Sequence, residues 1–162
     1  MLAHNYYESP LGWIEIKGTS LGIQSVKLTK EKKTPTGDLP PVLIACAAQL
    51  KEYFAGERRS FDLKLDWGTA TPFNQSVWSA LLEIPYGHTT SYAVIAEKID
   101  NPKAVRAVGL ANRNNPIAFI VPCHRVIAKN GKLQGYFYGL AVKRALLQLE
   151  NPRSFATQGT LF

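Results

Sequence analysis

Cysteine is scarce in this 162-residue chain: only Cys46 and Cys123 occur, too few for a disulfide scaffold. Histidine is nearly as thin, with His4, His88 and His124, and none is spaced with a cysteine as paired zinc ligands are, so no metal site is expected. Long apolar runs are missing too. The longest, VLIACAA (42–48) and IAFIV (117–121), fall far short of the ~20 residues that cross a bilayer, so no membrane partner is expected. The opening MLAHNYYESP lacks the basic start and apolar stretch of a secretory signal. Together these absences exclude a disulfide-stapled secreted module and lead us to expect a cytoplasmic protein whose thiols stay reduced.

Acidic residues are also few, but only in one half. Residues 1–70 hold nine Lys/Arg against eight Asp/Glu, a balance of +1, whereas residues 71–162 hold ten against four, a balance of +6. A polyanion would therefore dock on the C-terminal half. The KLTKEKK run at 27–33 abuts TPTGDLPP and reads instead as a solvated loop. The chain does have 46% apolar and 10% aromatic residues, enough to bury a core in one domain or two small ones.

Local patterns divide the chain at about residue 70. LGWIEI (11–16) and IQSVKL (23–28) flank GTSLG and predict a hairpin. Leu43, Ala47, Leu50 and Phe54 recur at helical spacing with Cys46 among them as a packed thiol, and FDLKLD (61–66) alternates like a half-buried strand. Beyond residue 70, Thr71-Pro72 predicts a helix start, with Phe73, Val77, Ala80, Leu81 and Ile84 as its apolar stripe and Pro85-Tyr86-Gly87 as its stop. Thr90 or Ser91 caps a second helix to about Ile99. Asn101-Pro102 offers the same cap-and-proline start for a third, ending near Arg113-Asn114-Asn115-Pro116. The last two suggest a helix-turn-helix. In the third helix Ala104, Ala107, Gly109 and Ala111 leave the backbone bare while Arg106 and Arg113 carry charge. A bare helix can approach either a neighbouring helix or a nucleic acid, and only the +6 balance tilts the choice toward the latter.

IAFIV (117–121) reads as a buried strand, and Pro122-Cys123-His124-Arg125 follows it directly. A thiol beside imidazole and guanidinium can ionise and act as a nucleophile. Neighbouring side chains of an extended backbone point to opposite faces, so His124 reaches Cys123 only if the chain turns or through a water.

These residues sit in N-N-P-I-A-F-I-V-P-C-H-R-V-I (114–127), and with them the chain resembles the O6-alkylguanine-DNA alkyltransferase family. The likeness extends through S-Y (91–92), K-A-V-R-A-V-G (103–109), G-Y (135–136) and G-L-A-V-K…L-L…E (139–150), and more loosely through S-P-L-G and L-K-E-Y-F-A-G in the first half. The resemblance implies an α/β (α+β) fold. A small ribonuclease H-like sheet-and-helix domain over 1–70 would precede a helical, helix-turn-helix alkyltransferase domain over 71–162. It implies irreversible, single-turnover transfer of an alkyl group from O6-alkylguanine in duplex DNA to the protein itself, with O4-alkylthymine as a second candidate substrate. No cofactor is needed, and a monomer is expected. By resemblance Cys123 accepts the alkyl group, His124 takes its proton through a water, Glu150 orients the imidazole, Asn115 braces the site and Tyr92 donates to the guanine ring. Backbone groups near Val126 and Phe137 would read the base, with Tyr136 and Tyr138 lining the pocket. Arg106 would enter the space left by the flipped nucleotide. Ala107, Gly109, Arg113 and Arg125 would meet DNA in the minor groove, where a stripped helix is required. Phe137 and Tyr138 stand where many relatives have small residues, and Ala118 where some have proline, which implies a preference for methyl over benzyl adducts.

Two other classes fit single features. A Cys-His hydrolase would use Cys123 and His124 repeatedly, but the papain-like context around the cysteine is missing. Relatives that only sense damaged DNA carry another residue where Cys123 stands.

Overall fold

The computed structural model describes residues 1–153. They form two compact units, one of residues 1–68 with 116–118, the other of 69–115 with the described residues from 119 onward. The C-terminal limit of the expected 71–162 domain lies outside the described residues.

In the first unit, strands β1 (Ala3–Ser9), β2 (Gly12–Thr19) and β3 (Gly22–Thr29) make an antiparallel meander in that order. The β2–β3 hairpin is the one its sequence predicts. Gly18 is required there, because a Cβ would come within 2.4 Å of the Gly22 carbonyl oxygen where the register slips. β1 was not anticipated: AHNYYES is too polar to stand out, yet it pairs with β2 along its whole length. Ile14, Ile16, Ile23 and Val26 are buried with Leu43, Cys46, Leu50 and Tyr53 of α1 (Pro41–Phe54), which packs on all three strands. Each large apolar side chain buried this way contributes about 1.5–3 kcal/mol. Cys46 has no exposed surface, and burial pushes its thiol up to about 12, so it is inert packing.

Two predicted strands do not form. FDLKLD makes a single parallel bridge, Leu65 to Ile23, before the Asp66 carboxylate accepts from the Gly68 amide and turns the chain. IAFIV likewise gives only a bridge from Ile117 to Val26, with Val26 N–H donating to the Pro116 carbonyl (2.9 Å) and Ala118 N–H to the Val26 carbonyl (3.0 Å). At Phe119 the backbone takes φ 70°, left-handed and costly for an aromatic residue, which ends any extended run.

The second unit is helical. Thr71 caps α2 (Pro72–Leu81), its hydroxyl accepting from the Asn74 amide at 3.2 Å, and Pro72 fills the first turn. Ser91, of the two candidates, caps α3 (Tyr92–Lys98) by accepting from Val94 N–H. The third helix starts later than predicted. Asn101 N–H bonds back to Ala96 and Ala104 N–H to Asn101, so Asn101-Pro102 forms the inter-helix turn and α4 runs from Val105 to Arg113. α3 packs on α4, and α2 on both. A two-residue strand β4 (Thr90–Ser91) pairs in parallel with β5 (Val126–Ile127), and α5 (Leu140–Glu150) closes the described chain.

Candidate active site and nucleic-acid interface

Cys123, His124 and Arg125 form a single 3-10 turn between Pro122 and β5. The turn resolves the geometric objection to adjacent residues cooperating, because the chain is no longer extended there. All three side chains are buried. His124 Nε2 lies 2.6 Å from Glu150 Oε2, at the end of α5. Burial by itself would raise the Glu150 carboxyl, but His124 and Arg125 hold it well below the usual carboxylate range. A carboxylate only accepts, so Nε2 carries the hydrogen, and a neutral ring then offers Nδ1 as acceptor. Nδ1 is buried and has no hydrogen-bond partner among the described residues.

The Cys123 thiol is pushed up by burial. The Asn115 side chain, hydrogen-bonded to it, Lys143, and the amides of Cys123 and His124 oppose that rise. Asn115 is itself fixed by donating to the Val121 carbonyl at 2.9 Å. Tyr92, at the start of α3, donates its hydroxyl to the Gln134 carbonyl (3.2 Å), and its phenol is raised by burial and by Cys123. Tyr136 is buried near the same thiol, with its hydroxyl unpartnered among the described residues. The structure thus brings Asn115, Tyr92, Tyr136 and Lys143 to the Cys123 thiol, with the bonded His124–Glu150 pair adjoining in the same turn.

Other expected residues are placed differently. The Arg125 guanidinium, expected on DNA, is buried. Its Nε donates to Glu150 Oε1 (2.6 Å), one terminal nitrogen to Oε2 (3.1 Å) and the other to the Ile84 carbonyl (2.7 Å), so it is not offered to a phosphate. Of the backbone groups near Val126 that are expected to read the base, the Val126 carbonyl accepts from Lys143 Nζ at 2.6 Å, which leaves one of its two lone pairs. Phe137 is 64% exposed, whereas Tyr138 is half-buried, edge-on to Tyr136 and stacked with Phe119. Ala118 belongs to the first unit, bonded to β3.

Sequence reasoning missed Asn112 and Lys143. Asn112, buried in α4, donates to the Cys123 carbonyl at 3.3 Å and so ties helix to site. Lys143 falls at helical spacing with Leu147 and Glu150, on the buried stripe of α5. A charge inside an apolar stripe is the signal that marks it.

On α4, Val108, Ala111 and Asn112 face inward, and Trp78 Nε1 donates to the Ala111 carbonyl (2.9 Å). Arg106, Ala107, Leu110 and Arg113 share the opposite, exposed face. Gly109 is not demanded by internal packing: a Cβ there would meet only Tyr92 Cδ1, at an ordinary 3.9 Å. Internal packing therefore does not explain Gly109, whereas the small Ala111 lies on the inward face.

Known proteins carry both halves of this arrangement. The profile described as 6-O-methylguanine DNA methyltransferase, DNA binding domain, matches residues 72–152, and the ribonuclease-like domain of the same description matches 2–67. A methylated-DNA–protein-cysteine methyltransferase of Methanosarcina acetivorans is 51% identical over 151 residues, 89% of this chain and 95% of that protein. One from Mycobacterium tuberculosis is 46% identical over 159 residues, 95% of each chain. The crystal structure of Mycobacterium tuberculosis OGT in complex with DNA superposes with a TM-score of 0.83 at 46% identity, covering 93% of this chain and 94% of that one. The two domain matches together span most of the chain, and the chain belongs to the 6-O-methylguanine DNA methyltransferase family.

Proposed function

We propose that this chain is a methylated-DNA–protein-cysteine methyltransferase that moves the alkyl group of O6-alkylguanine in duplex DNA onto its own Cys123, once per molecule. The observation that carries the reading is the turn at Cys123, with the buried His124–Glu150 pair beside it and the exposed, arginine-bearing face of α4 on the same unit. In this reading residues 71–162 act as the DNA-binding alkyltransferase domain and residues 1–70 as the N-terminal sheet-and-helix domain. The protein acts as a monomer in the cytoplasm, where thiols stay reduced.

The chemistry follows from the residues. The thiol proton passes through a water to His124 Nδ1, and Glu150 stabilises the imidazolium that results. The thiolate attacks the saturated alkyl carbon; the S–C bond forms as the C–O6 bond breaks, and the electron pair returns to the guanine. Tyr92 supplies a proton at the ring as that charge builds, and the proton held by His124 balances the exchange. The alkyl carbon lies inside a duplex, so the nucleotide must rotate out, and in this reading Arg106, exposed on α4, fills the gap. The thioether has no route back to a thiol, which makes the reaction stoichiometric.

The test mixes the protein with an O6-methylguanine oligonucleotide and weighs the intact protein. A gain of one methylene, mapped to Cys123 and absent from Cys123→Ala, is expected. Product accumulating beyond one equivalent overturns the single-turnover reading in favour of a turnover enzyme.

A further inference from the structure

A fully buried lysine without an acidic partner is rare. Lys143 on α5 has no exposed surface. Its Nζ donates to the carbonyls of Val126 (2.6 Å), Gln134 (2.8 Å) and Gly135 (3.5 Å), and no carboxylate pairs with it among the described residues. Three carbonyls use its three hydrogens but cancel no charge. They belong to two stretches, β5 at the exit of the cysteine turn and the 134–135 segment, where Gly135 takes φ 51° and where Tyr92 also docks its hydroxyl. Desolvation lowers the ammonium to about 8, and the group that opposes this is Cys123.

The groups that act on Cys123 are Asn115 after α4, Tyr92 on α3, Tyr136 before α5 and Lys143 on α5, together with the backbone amides of Cys123 and His124; the His124 ring is bonded to Glu150, which also holds Arg125. Both phenols are raised and stay neutral near neutral pH. Arg125 is neutralised by Glu150.

We propose that Lys143 is a positioning residue for the transfer: its ammonium ties β5 to the 134–135 segment and is the charge that the Cys123 thiolate faces. The proposal rests on Cys123 being the reacting thiol. It carries a corollary. Alkylation turns the thiolate into a neutral thioether, so the buried ammonium loses its counter-charge at the moment of transfer.

The experiment follows iodoacetamide labelling of Cys123, mapped by peptide mass, against pH in the parent protein and in Lys143→Met, with folding checked by circular dichroism. The expected result is a profile displaced upward by about one pH unit, roughly a tenfold slower reaction at neutral pH, with the same plateau at high pH. An unmoved midpoint overturns the proposal. If Lys143→Met does not fold, the parent protein with 13C-labelled lysine is titrated by NMR before and after Cys123 is capped with methyl methanethiosulfonate. The Lys143 midpoint is expected to fall on capping, and an unchanged midpoint overturns the pairing. Neither arm uses DNA, so a protein inert to methylated oligonucleotide yet showing these shifts would remove the transferase reading and leave the Lys143 pairing standing.

Discussion

Glu150 serves two neighbours at once, and that sharing makes the residue-scale behaviour of the site predictable. Arg125→Ala leaves a buried carboxylate short of a partner and should cost about 3–5 kcal/mol in urea denaturation. Because its guanidinium is occupied inside the protein, the salt dependence of DNA binding by that variant should match the parent's. The depressed Glu150 carboxyl also sets a pH dependence. As pH falls below the usual glutamate value of about 4.3, the unfolded chain takes up its proton first. Stability present above that pH is then lost progressively until the native carboxyl itself protonates. Glu150→Gln should flatten that acid limb of the stability curve. On the proposed mechanism the bonded His124–Glu150 pair works as one, so transfer by the double variant should be little slower than by the worse single one; rates that multiply would show Glu150 acting elsewhere. Much of this chemistry is legible in Pro122-Cys123-His124-Arg125. The Arg125 assignment was not, because its partner lies 25 residues away and is brought close only by α5. Lys143 escaped for the opposite reason: charge on a helix ordinarily means solvent.

α4 is the element whose composition says most and whose boundaries say least. Its small residues suggest an interface, but Asn101-Pro102 mimicked a cap that the structure places at Ala104. The apolar runs at 61–66 and 117–121 misled similarly. Alternation and hydrophobicity report burial correctly, and Ile117 and Phe119 are fully buried, but a turn at Gly68 or a left-handed Phe119 decides whether a ladder continues. Gly109→Ala tests the outward reading of α4. Nothing inside the protein resists the methyl, so helix propensity should stabilise the fold by about 0.5–1 kcal/mol while duplex affinity falls. Equal or tighter DNA binding would place the groove elsewhere. Arg106→Ala should slow repair of duplex more than transfer from the free O6-alkylguanine base, since its proposed role is to hold the flipped-out nucleotide. In the segment before α5, the exposed Phe137 and half-buried Tyr138 should make methyl transfer faster than benzyl. Replacing them by Ser and Gly should narrow that ratio, as measured by second-order rates on one oligonucleotide.

At the scale of the molecule, charge is carried by one half. A balance of +6 over residues 71–162 should make DNA binding weak in sequence preference and steep in salt, with affinity falling by about a thousandfold between 50 and 200 mM if about six phosphates are met. The connection that charge does not reveal is the bridge at Ile117. Residues 116–118 are counted with the first unit, bonded to Val26 on β3, although Asn115 on one side and Cys123 on the other belong to the second. A fragment of residues 71–153 should therefore melt below the full chain. It lacks two backbone hydrogen bonds worth about 1 kcal/mol each and exposes Ile117. The consequence reaches into heredity. A recombination event that joined genes near codon 70 would move the reactive cysteine into a new protein while stranding the stretch just ahead of it. Inheritance of this activity by domain shuffling is then favoured by a recipient that offers a substitute strand edge, or by later mutations that make Ile117 and Ala118 dispensable.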